Sequence, residues 1–136
     1  MRIRDKIKKP QRPVVAYEIL PPREKDGTLN SYAETISSLL SQTHIDAINI
    51  PEVHDEVARG ERPVVNQKRG EPREFGRLLQ DIVGVEAIIN RVVVHDEYDS
   101  QMKWFEETNI DYEIENMILV GGESSKVKYP GPTVNQ

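Results

Sequence analysis

Four short runs dense in Val and Ile, each followed by a stretch of a different period, limit this chain to very few folds. Residues 14–20, 47–50, 87–94 and 117–120 read as strands; Pro21-Pro22 stops the first and Pro51 the second, because proline has no N–H to donate to a sheet. Between the strands, apolar residues recur at spacings of three and four. Leu29, Tyr32, Ala33, Ile36, Leu39 and Leu40 form one stripe, with Asp26 or Thr28 as N-cap. Phe75, Leu78, Leu79 and Ile82 form a second, started by Pro72 and stopped by Gly84. Met102, Trp104 and Phe105 mark a third helix that begins near Asp99 or Ser100 and ends at Asn109. Strand and helix alternate throughout, which predicts an α/β fold with a parallel βαβαβαβ sheet and right-handed crossovers.

Two architectures satisfy that order: an open doubly wound sheet, or the N-terminal half of a TIM (β/α)8 barrel, a whole barrel taking about 250 residues. The 136-residue chain stops where a fourth helix is due, which favours the half-barrel as a single, incomplete domain over residues 13–136. Its first and fourth strands would then lack outer neighbours, so pairing with a second copy or a second barrel half is expected.

Residues 1–12 form a basic arm. Six cations against Asp5 give it a charge of +5, which leaves −10 for the body within the net −5. No aromatic residue is interleaved with those cations, and an acidic body repels phosphate. The arm therefore reads as a solvated terminus or a short edge strand, and no nucleic-acid partner is expected. No apolar run approaches the roughly 18 residues of a membrane span, and no signal peptide is legible, so a cytoplasmic protein without a membrane partner is the default. The chain has no cysteine, which excludes disulfides, thiolate nucleophiles and cysteine-ligated metals.

In either architecture, function belongs at the carboxyl ends of the strands. Those ends deliver Glu18 and Arg23, then residues 52–56 (Glu-Val-His-Asp-Glu), then His95-Asp96, then Gly121-Gly122-Glu123-Ser124-Ser125. A carboxylate such as Glu18 at the end of an apolar strand is either paired with a cation or has its pKa raised for proton transfer. Val15, Ile19 and Leu20 would supply the apolar surroundings, and Glu52 or Glu123 a neighbouring charge. Gly121-Gly122 removes two side chains at a strand exit, where a ligand can approach the backbone; a turn requiring positive φ is the structural reading of the same pair. His54, His95 and the acids near them are metal-ligand types without a recognised metal spacing, and no metal site is expected.

The run Tyr17-Glu18-Ile19-Leu20-Pro21-Pro22-Arg23 resembles the Phe-Glu-Phe-x-Pro-Pro-[Arg/Lys] opening of the methylenetetrahydrofolate reductases, flavin-containing (β/α)8 barrels. Ile118-Leu119-Val120-Gly121-Gly122-Glu123 is similar to their fourth-strand exit, an apolar run ending in Arg-Gly-Asp. The resemblance implies reduction of 5,10-methylenetetrahydrofolate to 5-methyltetrahydrofolate, with FAD (or FMN) as cofactor and a tetrahydrofolate derivative as substrate. It implies Glu18 as the acid that protonates the methylene-bearing nitrogen and opens the iminium that accepts hydride. Gly121, Gly122, Glu123, Ser124 and Arg91 would lie at the cofactor, and Glu123, Glu52 and Arg23 at the substrate. Gly121 stands where the family has its basic residue, and Pro51-Glu52-Val53-His54 replaces the family's Thr-Tyr-Gly-like second exit. The alternatives from other classes are a ligand-binding module without turnover and a phosphate-ester-binding α/β domain using Gly121 to Ser125.

Overall fold

Each apolar run becomes a strand, and the strands lie side by side in the order in which the chain makes them. A computed structural model of the protein describes residues 2–53, 68–122 and 128–136. It contains α1 (Ile3–Lys8), β1 (Ala16–Glu18), a single 3-10 turn (Glu24–Asp26), α2 (Leu29–Leu40), β2 (Ala47–Pro51), α3 (Pro72–Val83), β3 (Glu86–Val92), α4 (Tyr98–Ile110) and β4 (Asn116–Val120). The sheet is parallel throughout, in the order β1-β2-β3-β4, with Glu18 beside Asn49, Asn49 beside Ile88 and Ile88 beside Asn116. The reversal of strand order that marks a doubly wound sheet does not occur among the described strands.

Local chemistry explains the helix ends. The Thr28 hydroxyl caps α2 by accepting from the Ser31 N–H at 3.1 Å. Pro72 occupies the first turn of α3, where its missing N–H costs nothing, and Gly84 ends the helix at φ 78°, a left-handed conformation that glycine adopts without strain. Gly76 lets α3 lie close on the sheet, since a Cβ there would sit 3.1–3.2 Å from the Cδ1 atoms of Ile114, Ile50 and Ile89. The sequence places the cap of α4, at Asp99 or Ser100, two or three residues late: its N-cap is Glu97, and it runs to Ile110.

Alternation along the strands sorts the side chains onto two faces. Ile48, Ile50, Ala87 and Ile89 pack with Ala33, Ile36 and Leu40 of α2 and Phe75 and Leu79 of α3, and Trp104 of α4 rests against the same cluster. Consecutive right-handed crossovers without a reversal put all three helices on that one face. The opposite face carries Glu18, Asn49, Ile88, Asn90, Asn116 and Ile118. The apolar runs of the first and fourth strands are not buried by this packing. β1 is exposed along its length, with Val15 and Tyr17 at 43% and 44%, and in β4 Ile118, Leu119 and Val120 are 46%, 41% and 38% exposed. Among the described residues both are outer strands with a neighbour on one side only.

The basic arm differs from both readings of it, the solvated terminus and the edge strand. It folds as α1, buries Ile3, and lies across the amino ends of the strands. Lys6 Nζ and Arg12 Nη2 both reach Asp46 Oδ1 at 2.9 Å, Arg2 reaches Glu115 at 2.7 Å, and the Ile3 N–H donates to Glu86. Asp46, Glu86 and Glu115 stand at or just before the starts of β2, β3 and β4. The arm's positive charge is thus answered by acids of its own body. Among the described residues no helix is long and apolar enough to cross a membrane.

Candidate functional site

Parallel strands bring their carboxyl ends to one rim, so Glu18 at the end of β1 and Gly121 just past β4 lie at the same end of the sheet. The Glu18 carboxylate faces the side away from the helices, where Oε2 accepts from Asn49 Nδ2 at 3.1 Å. Arg23 does not neutralise it. The guanidinium of Arg23 is committed to Asp26, Nε to Oδ2 at 2.9 Å and Nη2 to Oδ1 at 3.2 Å, which holds the Asp26 carboxyl down at about 2. The apolar enclosure expected around Glu18 is absent among the described residues: Ile19 turns into the core, Val15 is exposed, and Glu18 itself is exposed.

Three amides on the same face add a feature absent from the sequence reading. Asn49 Oδ1, Asn90 Oδ1 and Asn116 Nδ2 are shielded from solvent and have no hydrogen-bond partner among the described residues. Leaving such an atom unpaired costs about 1–3 kcal/mol, which an ordered water or a bound group offsets. Asn49 and Asn116 share one register row with Glu18 and Ile88, and Asn90 lies two residues further along β3 than Ile88. Together they place two acceptors and one donor on the face of the sheet away from the helices, as an amide floor beneath the β1–β4 rim. The signal in the sequence was an Asn inside each of two apolar runs, at Ile48-Asn49-Ile50 and Ile89-Asn90-Arg91.

Other residues singled out in the sequence have different duties. Arg91 is only 5% exposed and points into the helix-covered face, against expectation. It donates to Glu52 Oε1 at 2.5 Å and Gln101 Oε1 at 3.2 Å, pairs with Asp96, and stacks 4.4 Å over the Trp104 ring. Glu52 is spent on the same network, since its Oε2 accepts the Val92 N–H at 2.9 Å. These contacts tie the exit of β2 to that of β3 and direct Glu52 at Arg91. Trp104 packs against the guanidiniums of both Arg73 and Arg91. His44, just after α2, stands 3.3 Å from Asp46.

The space freed at Gly122 is filled from within: a Cβ there would lie 2.2 Å from the Tyr129 ring. That ring meets His95 edge-on at 5.7 Å, and Gly131 donates to the Val94 carbonyl at 2.9 Å, so the C-terminal residues fold back over the β3 exit. Gly121 remains open, with Val134 no nearer than 3.7 Å to a Cβ. Glu123 and Ser124, together with His54, Asp55 and Glu56, lie outside the described residues. No family model and no curated protein matches this chain.

Arg91 is turned away and engaged at all three guanidinium nitrogens, and Gly122 is backed by Tyr129, so these two do not fit the flavin contacts that the resemblance implies. Clefts open at both ends of the sheet. One of about 480 Å³ opens at the rim beside Glu18, Ile19, Leu20, Arg23, Asp26, Tyr32 and Arg69. Another of about 420 Å³ lies at the amino end between α1 and Asp46, where Lys6 and Arg12 are paired with Asp46.

Proposed function

We propose that this protein is a methylenetetrahydrofolate-reductase-like half-barrel that binds a reduced folate at the carboxyl rim of its sheet, with Glu18 as the acid. The observation that carries the reading is the Glu18–Asn49 pair at the end of parallel β1, free of Arg23 and beside the orphaned amides of Asn49, Asn90 and Asn116. The strand, acid and double-proline order of residues 17–23 supports it from the sequence.

Glu18 delivers its proton to the methylene-bearing nitrogen. The carbon–nitrogen bond breaks with its electron pair going to that nitrogen, and the remaining nitrogen forms an iminium with the carbon, leaving Glu18 as a carboxylate. Asn49 orients the acid by donating to Oε2, which leaves the other carboxyl oxygen to carry the proton. A ligand lying on the amide floor removes water from Glu18 and favours the protonated acid that the step needs. The barrel would be completed by a second copy or a second half pairing with the outer edges of β1 and β4.

The test is binding of 5-methyltetrahydrofolate by calorimetry, followed by folate-dependent oxidation of added reduced flavin. Saturable binding with turnover is expected; neither binding nor turnover in the folded protein refutes the reading. The exposure of Glu18 favours one second reading, a module that holds the folate without turning it over. Binding without oxidation of reduced flavin selects it.

A further inference from the structure

The rim cleft contains a charge balance that the folate reading does not use. Of its four ionic side chains, Arg23 and Asp26 neutralise each other through two hydrogen bonds. Glu18 and Arg69 remain, and no ion pair joins them or links Arg69 to any carboxylate among the described residues. Arg69 is half-buried and its backbone is fixed on both sides: it bridges to Arg23, and the Gly70 N–H donates to the Pro22 carbonyl at 2.9 Å. Its Nη1 donates to the Pro21 carbonyl at 2.9 Å. That bond orients the guanidinium plane and leaves Nε and Nη2 for a bidentate partner. Tyr32, packed at a tilt against the Phe75 ring with centroids 5.8 Å apart, supplies an aromatic wall.

We infer that Arg69 anchors an anionic group, a carboxylate or a phosphate, of a ligand whose hydrogen-bond-donating end lies against Glu18. A half-buried guanidinium with an ordered plane and spare donors gains most from a planar or tetrahedral oxyanion. The carboxylate opposite it rejects a ligand that is anionic throughout and accepts one with N–H groups at its other end. The inference rests on the proposed function only in placing the ligand at Glu18; the cleft and its unmatched cation are independent of folate chemistry. A fixed anchor at one end of the ligand holds the reacting end in place, which is how remote binding contributes to rate.

Nitrogen-detected NMR of the Arg69 Nε–Hε group, with succinate and inorganic phosphate titrated separately into the whole chain, tests this. A saturable shift with succinate alone identifies a carboxylate tail, with phosphate alone a phosphate ester, and with both an unselective oxyanion site; each supports the anchor. Arg69→Gln is expected to weaken binding at least about tenfold, the minimum for losing a charge-assisted pair. Arg4→Gln, which removes a cation at the amino end, is expected to leave it unchanged. No saturable shift with either anion, or the same affinity in Arg69→Gln, overturns the inference. Should Arg69→Gln unfold, Arg69→Lys keeps the charge and a donor for Pro21 but loses the planar fork; severalfold weaker binding is expected, and unchanged affinity overturns the assignment. Glu18→Gln separates the two readings, because it removes the acid step while leaving the oxyanion contact in place.

Discussion

A carboxylate at the end of an edge strand is useful only if something turns it and something else leaves it alone. Asn49 turns Glu18, and Asp26 keeps Arg23 away from it. Glu18→Gln is therefore expected to retain the fold and the folate affinity while lowering turnover by at least about a hundredfold, the usual share of a general acid; steady-state oxidation of reduced flavin measures it. The orphaned amides carry a second expectation. If the Asn90 side chain serves a ligand and not the fold, Asn90→Leu leaves stability unchanged or raises it by about 1–3 kcal/mol, because an unpaired buried acceptor is removed. Urea denaturation decides, and a loss beyond about 2 kcal/mol would assign Asn90 a structural partner. Glu18 was legible in the sequence because a double proline fixes where its strand stops. Asn49 and Asn90 were not, because a single amide in an apolar run reads as an interruption until the register shows which face it occupies. Arg91 misled for the same reason: one residue of alternation separates the open face from the helix-covered one.

Among the elements, the helices were the most legible and the arm the least. Thr28, Pro72 and Gly84 act through their immediate backbone neighbours, so their effects can be read locally. The partners of α1 come from far along the chain: Asp46, Glu86 and Glu115 are scattered in sequence and gather only when parallel strands align their starts. Asp46 is the most heavily used of them. The backbone N–H of Val15, then Lys6 and Arg12, hold its carboxyl well below the usual carboxylate range. A carboxyl depressed in the folded state contributes its full stability above its unfolded value of about 3.9 and loses it as pH falls toward the folded value. Thermal melts are thus expected to be flat near neutrality and to drop below about pH 4, with a shallower acid limb in Asp46→Asn. An unchanged limb in that variant would show that other carboxylates govern acid unfolding.

At the scale of the whole molecule, a sheet wound in one direction with helices on one side has a face and two edges still to satisfy. The alternating pattern foretold the parallel sheet, and the unbroken strand order made it one-sided. The exposure of β1 and β4 could not be read from hydrophobicity, because a strand buried between neighbours and an outer strand awaiting one have the same composition. With Ile118, Leu119 and Val120 exposed beside an unpaired edge, concentration-dependent self-association is expected in sedimentation equilibrium at micromolar concentration, weakened in Leu119→Lys. A strict monomer would remove the second copy from the proposal. The central claim is that ligand chemistry gathers at the carboxyl rim around Glu18 and the amide floor. Mapping backbone amide shifts while 5-methyltetrahydrofolate is added tests it most directly. Shifts are expected to cluster at Glu18, Asn49, Asn90, Asn116 and Gly121; shifts confined to the amino-end cleft around Lys6, Arg12 and Asp46, or none at all, would contradict it.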